Sequence, residues 1–174
     1  MKSYTYFTFP VLQKTVGVVL KGTSVISIIL GTDEKLIAEK IKQEHPYSIR
    51  KTEKSIKYAL LQYLSGKSRH IDIPFQLINL SDLQKKILKK TSCIPYGEIC
   101  PYSELAKNIG NPALARFVGS TLAKNPVPLI IPCHRVIKKS GSTGGFIGSA
   151  KDNTGWKTLL LRLEKENIKK TRGV

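Results

Sequence analysis

The chain has 174 residues, 41% of them apolar, which is enough for one large domain or two small ones with a real core. Three cysteines without a secretory signal, and no apolar run near the ~18 residues of a membrane span, exclude a secreted disulfide scaffold and a transmembrane helix. Net charge is +17, with 12 Lys and Arg against 6 Asp and Glu through Asn79 and 17 against 6 beyond it. That excess points to a polyanion, nucleic acid before acidic membrane, with a solvated Lys-rich surface as the bland alternative. A soluble, cytoplasmic protein is expected.

Tyr4-Thr5-Tyr6-Phe7-Thr8-Phe9 alternates and predicts a first strand. Residues 15–30 read TVGVVLKGTSVISIIL, two β-branched runs around Lys21-Gly22-Thr23-Ser24, and predict a hairpin. The expected result is a short antiparallel sheet. Thr32-Asp33 caps a helix to about Glu44 with Leu36, Ile37 and Ile41 on one face, ended by His45-Pro46. A second helix covers about 52–64 with Ile56, Leu60 and Leu64 at helical spacing, stopped by Ser65-Gly66. Ile71-Asp72-Ile73-Pro74 reads as a short edge strand, because Pro74 has no N–H to give a ladder. This α+β unit, 1–79, offers no candidate active site. His45 and His70 read as surface or turn residues.

The texture changes near Leu80, and 80–174 reads as a second, mostly helical domain. Ser81-Asp82 caps a helix with Leu83, Ile87 and Leu88 on its apolar face and four lysines outside it. Ile94-Pro95-Tyr96-Gly97 turns the chain. Pro101-Tyr102-Ser103 leads into a helix over 104–109, Gly110-Asn111-Pro112 breaks it, and another helix covers 113–124. Two short helices joined by a Gly-containing turn form a helix-turn-helix pattern. Ala113, Ala115, Gly119, Ser120 and Ala123 keep the second helix low in profile, with Arg116 projecting. Asn125-Pro126-Val127-Pro128 ends it. Residues 140–149 are so rich in Gly and Ser that they predict a loop lying against a ligand. The last helix starts near Gly155-Trp156, with Trp156, Leu159, Leu160 and Leu163 as its stripe and Glu164 at the edge. The tail, 169–174, is expected to fray.

Ile130-Ile131-Pro132-Cys133-His134-Arg135-Val136-Ile137 sets three reactive side chains between apolar runs. Cys133 reads as a nucleophile, with an inert buried thiol as the alternative. No Cys/His spacing fits a zinc site, so no metal and no cofactor are expected. In an extended backbone His134 faces away from Cys133. A water or a local turn must then link them, and Glu164 is the acceptor for the other imidazole nitrogen. Taken alone, Glu164 also reads as a solvated helix charge. Arg135 reads as an ion-pair partner or as a field favouring the thiolate. A basic chain with a helix-turn-helix and a buried nucleophile fits a DNA base extruded into a pocket. Arg116 fills the vacated stack in that reading, or contacts phosphate or solvent otherwise. Tyr102 steers a phosphate or flanks the base, or is a core residue.

Pro132-Cys133-His134-Arg135-Val136 resembles the signature of the O6-alkylguanine-DNA alkyltransferases, the methylated-DNA–protein-cysteine methyltransferases. Pro95-Tyr96-Gly97-Glu98, Tyr102-Ser103-Glu104-Leu105-Ala106, Asn111-Pro112-Ala113, Arg116-Phe117-Val118-Gly119 and Asn125-Pro126-Val127-Pro128 resemble family segments in the same order. The likeness covers about 80–164. Residues 1–79 are similar in kind to the family's ribonuclease-H-like unit. The resemblance implies single-turnover repair of duplex DNA containing O6-alkylguanine (O4-alkylthymine is also admitted), by a monomer. It implies Cys133 as acceptor, His134 as base through water, Glu164 as its orienter and Asn125 as holder of the turn. Arg116 is implied as the intercalating finger and Tyr102 as proton donor and phosphate rotator. Ser103, Asn111, Ala115, Gly119 and Ser120 are implied along the minor groove, and Tyr102, Val136, Gly144 and Phe146 around the base. Phe146 stands where the family often has Tyr, the loop over 151–155 is longer than in the shortest members, and the zinc-binding cysteines of some members are absent. A non-catalytic damage sensor or DNA-binding regulator is the alternative function.

Overall fold

The computed structural model describes residues 1–147 and 155–172. Lys2–Phe9 (β1), Lys14–Lys21 (β2) and Ser24–Gly31 (β3) form an antiparallel meander. Ile49–Arg50 (β4) joins the free edge of β1 in parallel, giving the order β3-β2-β1-β4. The sheet is therefore mixed rather than purely antiparallel. β4 is two exposed residues long and carries no alternation that a sequence pattern would reveal. The expected edge strand over 71–74 is absent. Only one bridge forms there, Val25 N–H donating to the Pro74 carbonyl at 2.8 Å and Gln76 N–H to the Val25 carbonyl at 2.9 Å. With no donor on Pro74, the pairing stops at a single residue.

Both faces of β2 are covered. On one, Val19, Ile26 and Ile29 meet Ile37 and Ile41 of the helix Glu34–Glu44 (α1). Gly17 allows this approach, since a Cβ there would lie 2.6 Å from Ile37 Cγ2. Leu36, expected on the inner face, is 64% exposed; the stripe is the i, i+4 pair alone. On the other face, Val16, Val18 and Ile28 pack with Ile56, Leu60, Tyr63 and Leu64 of the helix Lys54–Leu64 (α2).

That cluster continues past position 80, into Ile87 and Leu88 of Asp82–Ser92 (α3), Leu105 of Tyr102–Asn108 (α4), Val118 and Leu122 of Ala115–Ala123 (α5), and Trp156 and Leu160 of Trp156–Arg172 (α6). Two polar links tie the same layers. Ile28 N–H donates to the Pro126 carbonyl at 2.7 Å, and Trp156 Nε1–H to the Gly31 carbonyl at 3.0 Å. Pro126, in the segment before Cys133, is thus tied to β3.

α3 opens on a capping box in which Ser81 and Gln84 satisfy each other's backbone. α4 starts earlier than its expected bound. α5 starts later, because Pro112–Leu114 winds as a 3-10 turn capped by the Asn111 side chain. Cys100–Pro101 (β5) and Val136–Ile137 (β6) form a short parallel ladder behind the motif. The architecture is α+β, with six α-helices among the described residues. No described helix is long and apolar enough to cross a membrane. Expectations for Gly148 and Ser149, for the loop over 151–154, and for 173–174 lie outside the described residues.

Candidate active site

Cys133–Arg135 is one turn of 3-10 helix, the local turn that the sequence leaves open beside an extended segment, and leads directly into β6. Three residues per turn fan adjacent side chains in three directions. This is how consecutive residues serve different neighbours. The loop before it is held by Asn125, 4% exposed. Asn125 Nδ2 donates to the Ile131 carbonyl at 2.9 Å and to Cys133 Sγ at 3.2 Å, and its Oδ1 accepts from Val127 N–H at 3.1 Å. Within that loop Leu129 takes a left-handed φ of 76°, a costly conformation for a side chain with Cβ.

Cys133 lies in the wall of a cavity of about 380 Å³. Tyr102, Arg116, Gly119 and Phe146 line it with Cys133, and the Gly-rich loop contributes Gly144 and Gly145. Burial pushes the Cys133 thiol up to about 11, against the opposing pull of the Asn125 hydrogen bond and the Lys157 charge. The resting group is a thiol. Reaction needs a base.

The base is poised behind it. His134 is fully buried, with Nε2 2.7 Å from Glu164 Oε1. Burial works against ionisation of Glu164, but the hydrogen bonds and charges of His134 and Arg135 outweigh it and hold the carboxyl at about 2. An ionised carboxylate only accepts, so Nε2 carries the proton. Nδ1 then presents a lone pair, and it has no hydrogen-bond partner among the described residues. Burial above all, with Arg135 and Lys157, lowers the His134 pKa against the pull of Glu164. The ring is neutral at pH 7, as a base must be.

Glu164, read at the edge of the helical stripe, is 1% exposed and is the hub of the site. Arg135 donates to it from Nε and from Nη2, and from Nη1 to the Ile94 carbonyl at 2.6 Å. Gly97 N–H donates to Oε2 at 2.8 Å. Gly97 has φ 77°, and a Cβ on it would lie 2.0 Å from Ile168 Cδ1. Tyr63, from α2, donates its hydroxyl to Oε1 at 2.6 Å. The expectation that 1–79 holds nothing of the site is therefore corrected.

Lys157 was also invisible to sequence reasoning. It is fully buried, and Nζ donates to the Val136 carbonyl at 2.7 Å and to the Gly145 carbonyl at 3.3 Å, and lies 3.4 Å from Tyr102 Oη. Burial, then the neighbouring Cys133, raises the Tyr102 pKa, so the phenol keeps its proton. Val136 offers the site its carbonyl; its side chain is not in the cavity wall. Ser103 and Ser120 are exposed on α4 and α5. A Cβ added at Gly119 would lie 3.8 Å from the Tyr102 ring, an ordinary contact. Asn111 is exposed and engaged as the cap of the 3-10 turn. Ala115 joins the cavity wall, and Arg116 stands exposed at it. Among the described residues, no three metal-ligating side chains converge.

Known proteins resemble this chain in sequence and in fold. The family model of the 6-O-methylguanine DNA methyltransferase DNA-binding domain matches residues 82–166. The methylated-DNA–protein-cysteine methyltransferase of Archaeoglobus fulgidus is 40% identical over 107 residues, covering 60% of this chain and 70% of that protein. The chain belongs to the methylated-DNA–protein-cysteine methyltransferase family. The inducible methyltransferase of Bacillus subtilis is 35% identical over 139 residues, 80% of this chain; the match spans 65% of the Bacillus protein, under two thirds of its length. The crystal structure of the Mycobacterium tuberculosis O6-methylguanine methyltransferase superposes with a TM-score of 0.80 at 27% identity, over 96% of this chain and 94% of that one. The M. tuberculosis protein in complex with DNA gives 0.77, over 95% and 94%.

Proposed function

We propose that this chain repairs duplex DNA by moving an alkyl group from O6 of guanine to the sulfur of Cys133, once per molecule. The observation that carries the reading is Cys133 in the wall of a base-sized cavity, with a neutral His134 and an ionised Glu164 directly behind it.

The damaged guanine leaves the stack to enter the cavity, and Arg116 fills the gap. The thiol proton passes through one water to His134 Nδ1, and Glu164 supports the imidazolium at Nε2. The thiolate then attacks the alkyl carbon; a C–S bond forms as the C–O6 bond breaks. Tyr102 gives its proton to the leaving guanine, and Lys157, 3.4 Å away, restores the phenol. The thiol proton is thus balanced by the one gained by the base. The product is a thioether with no activated leaving group, so the alkyl group stays on Cys133; Cys93 and Cys100 line a different cavity.

In this reading residues 1–79 form a ribonuclease-H-like domain and 80–174 the DNA-binding domain. α4 and α5 act as a helix-turn-helix whose small residues, Ala115, Gly119 and Ser120, enter the minor groove, with Ser103 and Asn111 beside the backbone. The protein works as a cytoplasmic monomer. A damage sensor has no need of an acceptor thiol with a built relay, which disfavours that alternative. The test is to incubate the protein with a duplex containing O6-methylguanine, measure its intact mass and map its peptides. One methyl on Cys133 is expected; lesion binding without modification would favour a sensor.

A further inference from the structure

We propose that Tyr63 is a positioning residue for alkyl transfer, its hydroxyl anchoring the Glu164 carboxylate against His134 and making α2 part of the proton relay. The proposal rests on the function set out above.

Tyr63 is fully buried, and a Phe would fill the same space. A buried hydroxyl is unfavourable unless bonded. Here it donates to Glu164 Oε1 at 2.6 Å and lies 3.4 Å from His134 Nε2. Oε1 also receives His134 Nε2 and Arg135 Nη2, and Oε2 receives Gly97 N–H. Of these donors, Tyr63 is the one that precedes residue 80.

The phenol is itself located by a tight junction. Its ring meets Tyr96 edge-on, centroids 6.0 Å apart at 89°. One turn beyond, Gly66 adopts φ 75°, and a Cβ there would lie 2.1 Å from Asn167 Nδ2. Asn167 Nδ2 donates to Tyr96 Oη at 3.0 Å. Glu164 and Asn167 are three residues apart on α6 and share a face. Docking of α2 on α6 therefore delivers the hydroxyl to the carboxylate.

The consequence is electrostatic. Each donor to Glu164 takes up part of the negative charge that attracts the imidazolium. Loss of Tyr63 Oη leaves a carboxylate that stabilises protonated His134 more strongly, so His134 stays protonated, and useless as a base, to higher pH. The ionisable groups facing the pair are Tyr63 from α2, Tyr96 from the turn after α3, Cys133 and Arg135 from the motif, and Lys157 from α6. None besides Tyr63 changes in Tyr63→Phe.

The experiment follows methyl transfer from an O6-methylguanine duplex against pH, and titrates the His134 ring by NMR, for wild type, Tyr63→Phe and Asn167→Ala. Tyr63→Phe keeps the ring and its packing. It is expected to slow transfer at neutral pH about threefold to tenfold, with the acid limb and the His134 titration both moved to higher pH. Asn167→Ala, which loosens the junction that locates the phenol but keeps the hydroxyl, moves the limb the same way by less. An unmoved limb and titration in Tyr63→Phe, or an equal displacement in Asn167→Ala, would overturn the assignment. Absence of transfer by wild type would refute the repair function instead, and the NMR titrations would still decide the role of Tyr63.

Discussion

Arg135 Nε lies 3.2 and 3.1 Å from the two oxygens of Glu164, with Nη2 3.0 Å from Oε1. The guanidinium also stacks 5.5 Å from the centroid of Tyr96. Of the two roles open to Arg135 in the sequence, the geometry gives the ion pair. Removing one member of a buried pair leaves the other charge uncompensated. Arg135→Ala is expected to lower stability by ~3–5 kcal/mol, read from the denaturant midpoint. Arg135→Lys retains charge but loses the planar fork, and falls between the two.

Stability should fall over two pH windows as the solution is acidified. His134 is lowered from 6.5 in the folded state, so the unfolded chain takes up a proton first as pH falls through 6.5, and stability drops there. Glu164 is held at about 2 against 4.5. Its contribution is complete above 4.5 and drains as pH falls toward 2, about 3 kcal/mol in all. Chemical denaturation at a series of pH values tests this. In Glu164→Gln the loss below about pH 4.5 should flatten; an unchanged acid limb would contradict the assignment.

Asn125 gives the sulfur a hydrogen bond that survives ionisation of the thiol. Asn125→Asp keeps the acceptor for Val127 N–H but replaces the donor with a negative charge 8 residues from Cys133 in sequence and in contact with it. Methyl transfer is expected to slow by about tenfold or more, the scale of one charge-assisted hydrogen bond. Wild-type alkylation by a small thiol reagent should keep rising with pH through 10, because the thiol titrates near 11.

Much of this was legible in the residues. Turn and cap signals placed the hairpin, α1, α3 and α6, and the apolar flanks of Cys133 announced burial. What escaped depends on contacts between distant segments. Tyr63 looks like one more stripe residue of α2, because Ile56, Leu60 and Leu64 surround it at helical spacing. Lys157 follows Trp156 as an ordinary helix charge, and only the fold turns it toward Val136 and Gly145. Arg135 could not be assigned while its partner was unknown. β4 was missed for a local reason, since two residues carry no periodicity.

Arg116 stands exposed at the cavity, while Cys133 lies within its wall. If Arg116 replaces the extruded base, its loss matters only where a stack must be opened. Arg116→Ala is expected to slow repair of duplex about 10- to 100-fold, the scale of a few kcal/mol of unstacking, and to leave the reaction with free O6-alkylguanine nearly unchanged. Parallel single-turnover rates on the two substrates decide it. Equal losses would count against flipping.

Arg116 lines the cavity and reaches solvent, whereas Lys157 is buried outside the cavity wall, donating to the carbonyls of Val136 and Gly145. Lys157 is 0% exposed, and its charge favours the Cys133 thiolate. Lys157→Met keeps the length of the stem and removes the charge. Methyl transfer should slow about tenfold, one charged hydrogen bond's worth. Duplex affinity and its salt dependence should hold, because a buried ammonium releases no counterion from DNA. An exposed phosphate contact would instead reduce the log–log salt slope by ~0.9. Binding isotherms at several salt concentrations, set beside the transfer rates, separate a charge that acts on the sulfur from one that acts on the backbone of the nucleic acid.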